Sequence, residues 1–339
     1  MLRGGEKMDG KFHLRKLLST GNNIFQLTAI TLFTFAVMSW LVPDTFFTMR
    51  NLRSMSFQFP ELGILSLAMM LAMLTGGIDL SIVGIANLAS ILSGFVFLRF
   101  LPEGASNEVV LFFVAVVVCL AVLVGLLCGL VNGVLIAKFS VPPILATLGT
   151  MQLYTGIAVV LTKGAAVVGF PMQYSEIGNA SVGGIGVPLI IFLIFLLLFL
   201  LLQKKTVFGI NLYLVGTNAK AAAFSGIRTA RTLVLSYMLS GALASIAGII
   251  MTARTNAAKA DYGASYILQS ILVAVLGGTN PSGGNGNAAG ILMAVLSLQF
   301  LSSGFNMLRF SNFAKEFIWG VFLLAIMIVN FCTNERHKT

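Results

Sequence analysis

Charge is what this 339-residue chain has least of: 9% of its residues are Asp, Glu, Lys or Arg, while 58% are hydrophobic. Soluble domains carry about 25% charged residues, so a surface this poor in charge cannot be kept in water. Cysteine is nearly as scarce. Cys119, Cys128 and Cys332 are an odd number and all fall in apolar stretches, which excludes a disulfide framework and reads as small core residues. The two histidines, His13 and His337, sit in polar tails, so a histidine metal site or proton relay among the apolar segments is excluded, and no His-Glu-x-x-His motif exists. No Gly-x-x-x-x-Gly-Lys-Ser/Thr loop is present to cradle phosphates, since Gly283-Gly284-Asn285-Gly286 lacks the lysine. Without a Ser-His pair or a second aspartate near Asp79, the apolar region holds no catalytic set, and the chain is not expected to be an enzyme.

What is abundant is apolar sequence of membrane-spanning length. A helix needs roughly 20 mainly apolar residues to cross the hydrocarbon core. Ten candidate spans fall at 24–42, 61–75, 80–99, 109–137, 143–161, 187–202, 232–252, 266–278, 288–304 and 314–332. The expected architecture is an all-α polytopic membrane protein of eight to ten spans. A basic tail (1–23) precedes a single transmembrane domain (24–332), which is interrupted by one polar, basic loop at 203–231 and followed by a short tail (333–339). The first apolar stretch has no small-residue cleavage site after it, so it is expected to remain as the first span.

Orientation follows from the cations, which short cytoplasmic loops retain. With both termini inside, 13 of the 21 Lys and Arg fall in inner segments, while seven of the acids, Glu61 among them, fall outside. Almost all of the net +10 is then cytoplasmic, facing anionic lipid headgroups. A nucleic-acid partner is not needed to explain it.

The most informative short segment is Gly76-Gly77-Ile78-Asp79-Leu80-Ser81, between the second and third spans. Two glycines release the backbone from the helix, and Asp79 and Ser81 are suited to accept the N–H groups that begin the next one. Asp79 is the one acid placed between apolar spans, where ionisable groups are costly enough to mark function. A helix cap and a part in gating or the translocation path both fit. Gly277-Gly278-Thr279-Asn280-Pro281-Ser282 repeats the pattern 201 positions later, which suggests two related halves of five spans. Gly125, Gly129 and Gly133 form a small-xxx-small stripe that lets helix backbones approach closely. Asn87, Asn132, Gln152 and Gln299 are polar residues within spans, suited to interhelical hydrogen bonds or to a polar path.

From Phe208 to Arg231 the chain reads FGINLYLVGTNAKAAAFSGIRTAR. It is too polar to span, and Ala219 to Phe224, bracketed by Gly216 and Gly226, favours a short helix on the membrane surface.

These residues carry a resemblance. Gly76 to Ser81, Pro143-Ile144-Leu145-Ala146-Thr147-Leu148-Gly149-Thr150, Phe208-Gly209 followed by Val215-Gly216-x-Asn218, Ala221-Ala222 with Ser225-Gly226-Ile227, and Gly277-Gly278 together resemble the membrane permease subunits of bacterial ATP-binding-cassette importers of the ribose type, over about Pro43 to Asn330. The loops Gly169–Met172, Val187–Ile194 and Asp261–Ser265 look most like the autoinducer-2 permeases within that group. The resemblance implies a translocation pathway for a monosaccharide or sugar-like ligand and no cofactor on this chain. It implies ATP and Mg on a separate cytoplasmic ATPase, an extracytoplasmic solute-binding protein and a second permease, identical or homologous. It also implies a coupling segment at Asn218, Lys220, Ala221, Ala222, Ser225 and Gly226. The family's coupling loop usually reads Glu-Ala-Ala-x-x-x-Gly, and here Lys220 stands in place of the acid. The competing reading, a secondary transporter driven by an ion gradient, predicts several intramembrane acids, against the single Asp79.

Overall fold

The computed structural model of the chain describes residues 23–336. The basic tail up to residue 22, His13, His337 and Lys338 lie outside them. The described residues form thirteen helices and two tiny two-stranded ribbons. In chain order the helices are α1 (Asn23–Leu41), α2 (Met49–Leu74), α3 (Ile82–Phe100), α4 (Asn107–Ala137), α5 (Pro143–Thr162), α6 (Met172–Asn179) and α7 (Val187–Lys205). There follow α8 (Val207–Thr217), α9 (Ala219–Phe224), α10 (Thr229–Thr255), α11 (Tyr266–Leu276), α12 (Ala288–Met307) and α13 (Asn312–Arg336). Seven of the described helices, α2, α3, α4, α5, α7, α10 and α12, are long and apolar enough to cross a membrane, and shorter apolar helices accompany them at Phe25–Leu41, Val207–Thr217 and Tyr266–Leu276. This is an all-α, multi-pass membrane architecture.

Two of the expected boundaries move. The second span was expected from residue 61, yet α2 begins at Met49 and runs through Pro60. The Thr48 hydroxyl accepts the Asn51 N–H to start the helix, and an interior proline is tolerated where neighbouring helices enclose the freed backbone. The loop at 203–231 is likewise not continuous. Thr206 caps a helix by accepting the Gly209 N–H at 3.0 Å, and α8 follows with Gly209, Leu212 and Val215 buried.

A helix that is hydrophobic all round belongs in the interior, and α2 is the centre of the bundle, with every residue from Phe59 to Leu74 buried. The helices α7, α10, α11 and α12 pack around it. On their other faces α4, α5 and α7 expose large apolar side chains, among them Phe112, Leu127, Leu153 and Leu197, as surfaces solvated by lipid do. At one end of the bundle α6 rests on the last turn of α10, where Asn179 donates to the Ala253 carbonyl at 2.9 Å. Beside it, β1 (Val167–Val168) pairs antiparallel with β4 (Ala257–Ala258), and β2 (Ser181–Val182) with β3 (Ile185–Gly186).

The glycine stripe behaves as its spacing predicts. Lipid tails are as apolar as leucine, so helices in a bilayer gain little from burial and rely on close packing. Gly125, Gly129 and Gly133 lie against the backbone of α10, and a Cβ at residue 129 would overlap the Tyr237 carbonyl. Gly129→Leu is therefore expected to force α4 and α10 apart and cost about 1–3 kcal/mol or more. Thermal unfolding of the purified chain should show a clearly lowered midpoint, whereas Gly156→Leu, at an open position on α5, should leave it unchanged.

Candidate functional site

The break between α2 and α3 is where an apolar bundle must accommodate non-helical backbone. Such backbone is tolerated at membrane depth only where protein satisfies its polar groups, and here it does. The last turn of α2 closes with the Gly76 N–H on the Met73 carbonyl and the Gly77 N–H on the Ala72 carbonyl, the paired bonds of a Schellman motif. Its left-handed residue is Gly76, at φ +83°, a conformation that favours glycine. Asp79 then forms an Asx turn, its Oδ1 accepting the Ser81 N–H at 3.1 Å and the Ser81 hydroxyl at 2.6 Å. The other oxygen, Oδ2, accepts from Ser240 of α10 at 2.8 Å.

Ser81 does not cap α3 with its side chain, contrary to expectation. Its hydroxyl donates to Asp79 and accepts from the Asn132 amide at 2.7 Å, while Asn132 Oδ1 accepts from Thr150 at 2.6 Å. Asp79, Ser81, Asn132, Thr150 and Ser240 thus form one buried chain of hydrogen bonds joining α3, α4, α5 and α10 at the loop. The Thr147 hydroxyl donates to the Ile78 carbonyl at 2.9 Å and Ser236 to that of Leu71 at 2.7 Å. Thr147 and Thr150 belong to the Pro143–Thr150 segment singled out in the sequence, although neither was marked as a site residue.

The second Gly-Gly segment has the same local geometry one residue shorter. Gly278, at φ +88°, closes α11 with its N–H on Val275 and that of Thr279 on Ala274. Asn280 Oδ1 then accepts the Ser282 N–H at 3.0 Å, as Asp79 does for Ser81. The two loops touch, since the Gly284 N–H donates to the Leu74 carbonyl at 3.1 Å. Gly216, at the end of α8, is wedged against both Leu74 and Gly284 with no room for a Cβ. Gly76, Gly77, Asp79, Ser81, Asn132 and Asn280 therefore gather in one region. Asn87 lies apart from it, donating to the Ala260 and Tyr262 carbonyls at 3.0 and 2.9 Å, where it fastens the segment after α10.

From this junction α9 projects outward. The Asn218 side chain accepts the Ala221 N–H at 3.0 Å to start it, and Gly226 ends it in a left-handed turn. The helix covers Ala219–Phe224, as the composition predicted. Ala222 alone is buried, while Lys220, Ala221, Ser225 and Gly226 are exposed. Phe224 is 94% exposed. The sequence reading passed over Phe224, although an aromatic residue at the end of a polar helix is a signal in itself.

Glu61 requires a correction. It was expected in an outer aqueous segment, yet it is fully buried within α2 and pairs with Arg254 at 2.7 Å. A second Arg254 bond reaches Oε2 at 3.3 Å, and Tyr266 donates to Oε1. Asp79 is therefore not the only acid among the spans. The partner of Glu61 is a fixed arginine, which gives an ion no vacant carboxylate.

A bundle of broken helices around buried, hydrogen-bonded loops, with a short helix projecting at one end, is the architecture of a membrane permease. The chain belongs to the family described as the branched-chain amino acid transport system / permease component, whose model matches residues 51–329. It is 34% identical over 282 residues to the autoinducer 2 import system permease protein LsrD of Yersinia enterocolitica, covering 81% of this chain and 82% of that one. To the LsrD of Yersinia pseudotuberculosis it is 33% identical over 282 residues, covering 81% of each. No solved structure matches it. The resemblance read from the motifs is thus to the right group of proteins.

The Tyr237 hydroxyl is buried without a hydrogen-bond partner and occupies the space a Cβ on residue 77 would need. Gly77→Ala is expected to destabilise the chain by about 1–3 kcal/mol through that overlap. Tyr237→Phe removes an unsatisfied hydroxyl and should be neutral or stabilising, and the double variant should recover much of the loss. A double-mutant cycle in thermal unfolding that showed strict additivity would contradict this packing.

Proposed function

We propose that this permease forms the translocation pathway of a bacterial ATP-binding-cassette importer for a monosaccharide or sugar-like ligand such as autoinducer 2. In this reading its energy comes from a separate cytoplasmic ATPase that holds ATP and Mg. The observation that carries the reading is α9, a capped six-residue helix that offers Phe224 and Lys220 to an aqueous partner and stands directly on the junction of the two Gly-Gly loops. The names of the two Yersinia relatives supply the ligand class. Asn218, Lys220, Ala221, Ala222, Ser225 and Gly226 then form the coupling segment, with both termini and α9 in the cytosol. A solute-binding protein meets the opposite end, and a second permease completes the pathway.

Coupling follows from how α9 is rooted. Through Gly216 and Gly284 its base meets the last carbonyl of α2, so displacement of α9 by a closing ATPase pair is transmitted to the Asp79 loop rather than absorbed in a slack linker. Alternating access is then a rearrangement of packed helices about that junction.

The ion-gradient alternative is separated by uptake in cells or vesicles with and without the co-expressed ATPase, which should be strictly required. Phe224→Asp places a charge where an apolar contact is expected, and it should lower ATP-dependent uptake by about tenfold or more, the scale of losing one buried aromatic contact. The thermal midpoint of the permease alone should not change, because Phe224 packs on nothing. Uptake that persists without the ATPase, or that is indifferent to Phe224→Asp, would overturn the assignment.

A further inference from the structure

At the end of the bundle away from α9, a cavity of about 140 Å³ opens between α2, α10, α11, α12 and α13. Its lining is unusual for so apolar a chain. Gln269 of α11, Gln299 and Ser302 of α12, and Arg254 of α10 share it with the aromatic side chains of Phe59 and Trp319. Phe59, Gln299 and Trp319 are buried, so these walls are built by packing rather than by loose surface chains.

The polar groups retain hydrogen-bonding capacity. Arg254 uses Nε and Nη2 on Glu61 and Tyr262, which leaves Nη1 unengaged. Gln299 and Gln269 donate weakly, to Gln58 at 3.4 Å and Ser265 at 3.5 Å, and neither side-chain carbonyl accepts a bond. The Ser302 hydroxyl makes none. Unengaged donors and acceptors therefore share a small space with the side chains of Phe59 and Trp319, and convergent polar groups beside aromatic walls are what fix and orient a small ligand.

The charge balance narrows the ligand. Glu61 already neutralises Arg254, so an anion finds no uncompensated cation and a cation finds no vacant carboxylate. What fits is a neutral molecule with several hydroxyls and a ring face for the aromatic walls. A cavity of about 150 Å³ holds one benzene-sized ring, so this one, of similar size and open on one side, limits the ligand to a single small ring whose substituents extend toward the opening.

We propose that this cavity is a binding site for a neutral pentose-sized polyol within the permease itself, with Gln269, Gln299, Ser302 and Arg254 bonding the hydroxyls and Trp319 covering one ring face. The proposal rests on the importer reading and gives the ligand a place at the end of the bundle where a solute-binding protein would release it.

Trp40 and Trp319 are the two tryptophans, so in full-length Trp40→Phe protein, in lipid nanodiscs, Trp319 alone reports emission. Titration with D-ribose should give a saturable change in that emission. Gln269→Leu and Gln299→Leu should each weaken apparent affinity about tenfold, the cost of leaving about 1.4 kcal/mol of hydrogen bonding unmade, and Ser302→Phe should abolish the response by filling the space. Gln299→Leu also removes the bond to Gln58, so if it fails to fold, the other two variants decide. A response that is absent, linear in D-ribose, or unaltered in Gln269→Leu and Ser302→Phe would mean the cavity holds only water, and the proposal falls. Binding is measured with no ATPase present, so its failure leaves the importer assignment standing, and ATP-independent uptake would leave the binding result standing.

Discussion

The whole arrangement depends on satisfying the backbone where α2 stops inside the bundle. Each unpaired N–H or C=O in hydrocarbon costs several kcal/mol, and a break between Leu74 and Ile82 frees the groups of one helix end and one helix start. Here the chain meets that demand locally with the Gly76 turn and the Asp79 Asx turn, and at long range through Thr147, Ser236 and Gly284. Four helices are consequently committed to particular positions by a single loop. The buried hydroxyls and amides of α3, α4, α5 and α10 are otherwise hard to explain in segments whose surroundings are almost wholly apolar.

The second Gly-Gly loop gives this centre a connection to the surface. It reaches across to Leu74, and Gly216 packs into the crevice between the two. Any larger residue at 216 or 284 would pry α8 from the bundle, and with it the root of α9. Small residues are needed here because three backbones converge, a separate requirement from the left-handed turn at Gly76. The glycine richness of the chain thus has at least two physical origins, turn geometry and backbone approach, and the α4–α10 stripe belongs to the second.

What was legible in the sequence was mostly local. The helix-breaking glycines of both Gly-Gly segments, the acceptor role of Asp79, the bounds of α9 and the four-residue glycine spacing all lie within a few residues of the groups they act on, and each was found where the chain pattern placed it. The Glu61–Arg254 pair was not legible, because its members are 193 positions apart and each sits close to charged or turn residues that read as aqueous loop. The early start of α2 was hidden by Pro60, a residue that usually marks a boundary and is here carried through by its neighbours. α8 was hidden because its eleven residues are too few to signal a span. Ser81 shows a subtler limit: residue type predicted a cap, but a hydroxyl flanked by Asp79 and Asn132 gains two bonds to side chains instead of one to the backbone.

Helix α10 links the two regions and constrains how they can move. Near its start Ser236 bonds the Leu71 carbonyl and Ser240 bonds Asp79, and at its far end Arg254 grips Glu61. The Ser236 bond to a carbonyl is worth about 0.5–1.5 kcal/mol net and the Ser240 bond to a carboxylate about 1.5–3 kcal/mol, whereas separating a buried ion pair leaves a charge uncompensated at about 3–5 kcal/mol. Counting only the polar contacts between α10 and the α2–α3 segment, the Ser236 end is the less costly to separate and the Arg254 end the more costly. The helix is 27 residues long, about 40 Å at 1.5 Å per residue, so a small rotation about Arg254 becomes a shift of several ångströms beside α9. By these polar contacts α10 is held to α2 more firmly beside Glu61 than at the Gly-Gly junction, where its close packing is instead against the glycine stripe of α4.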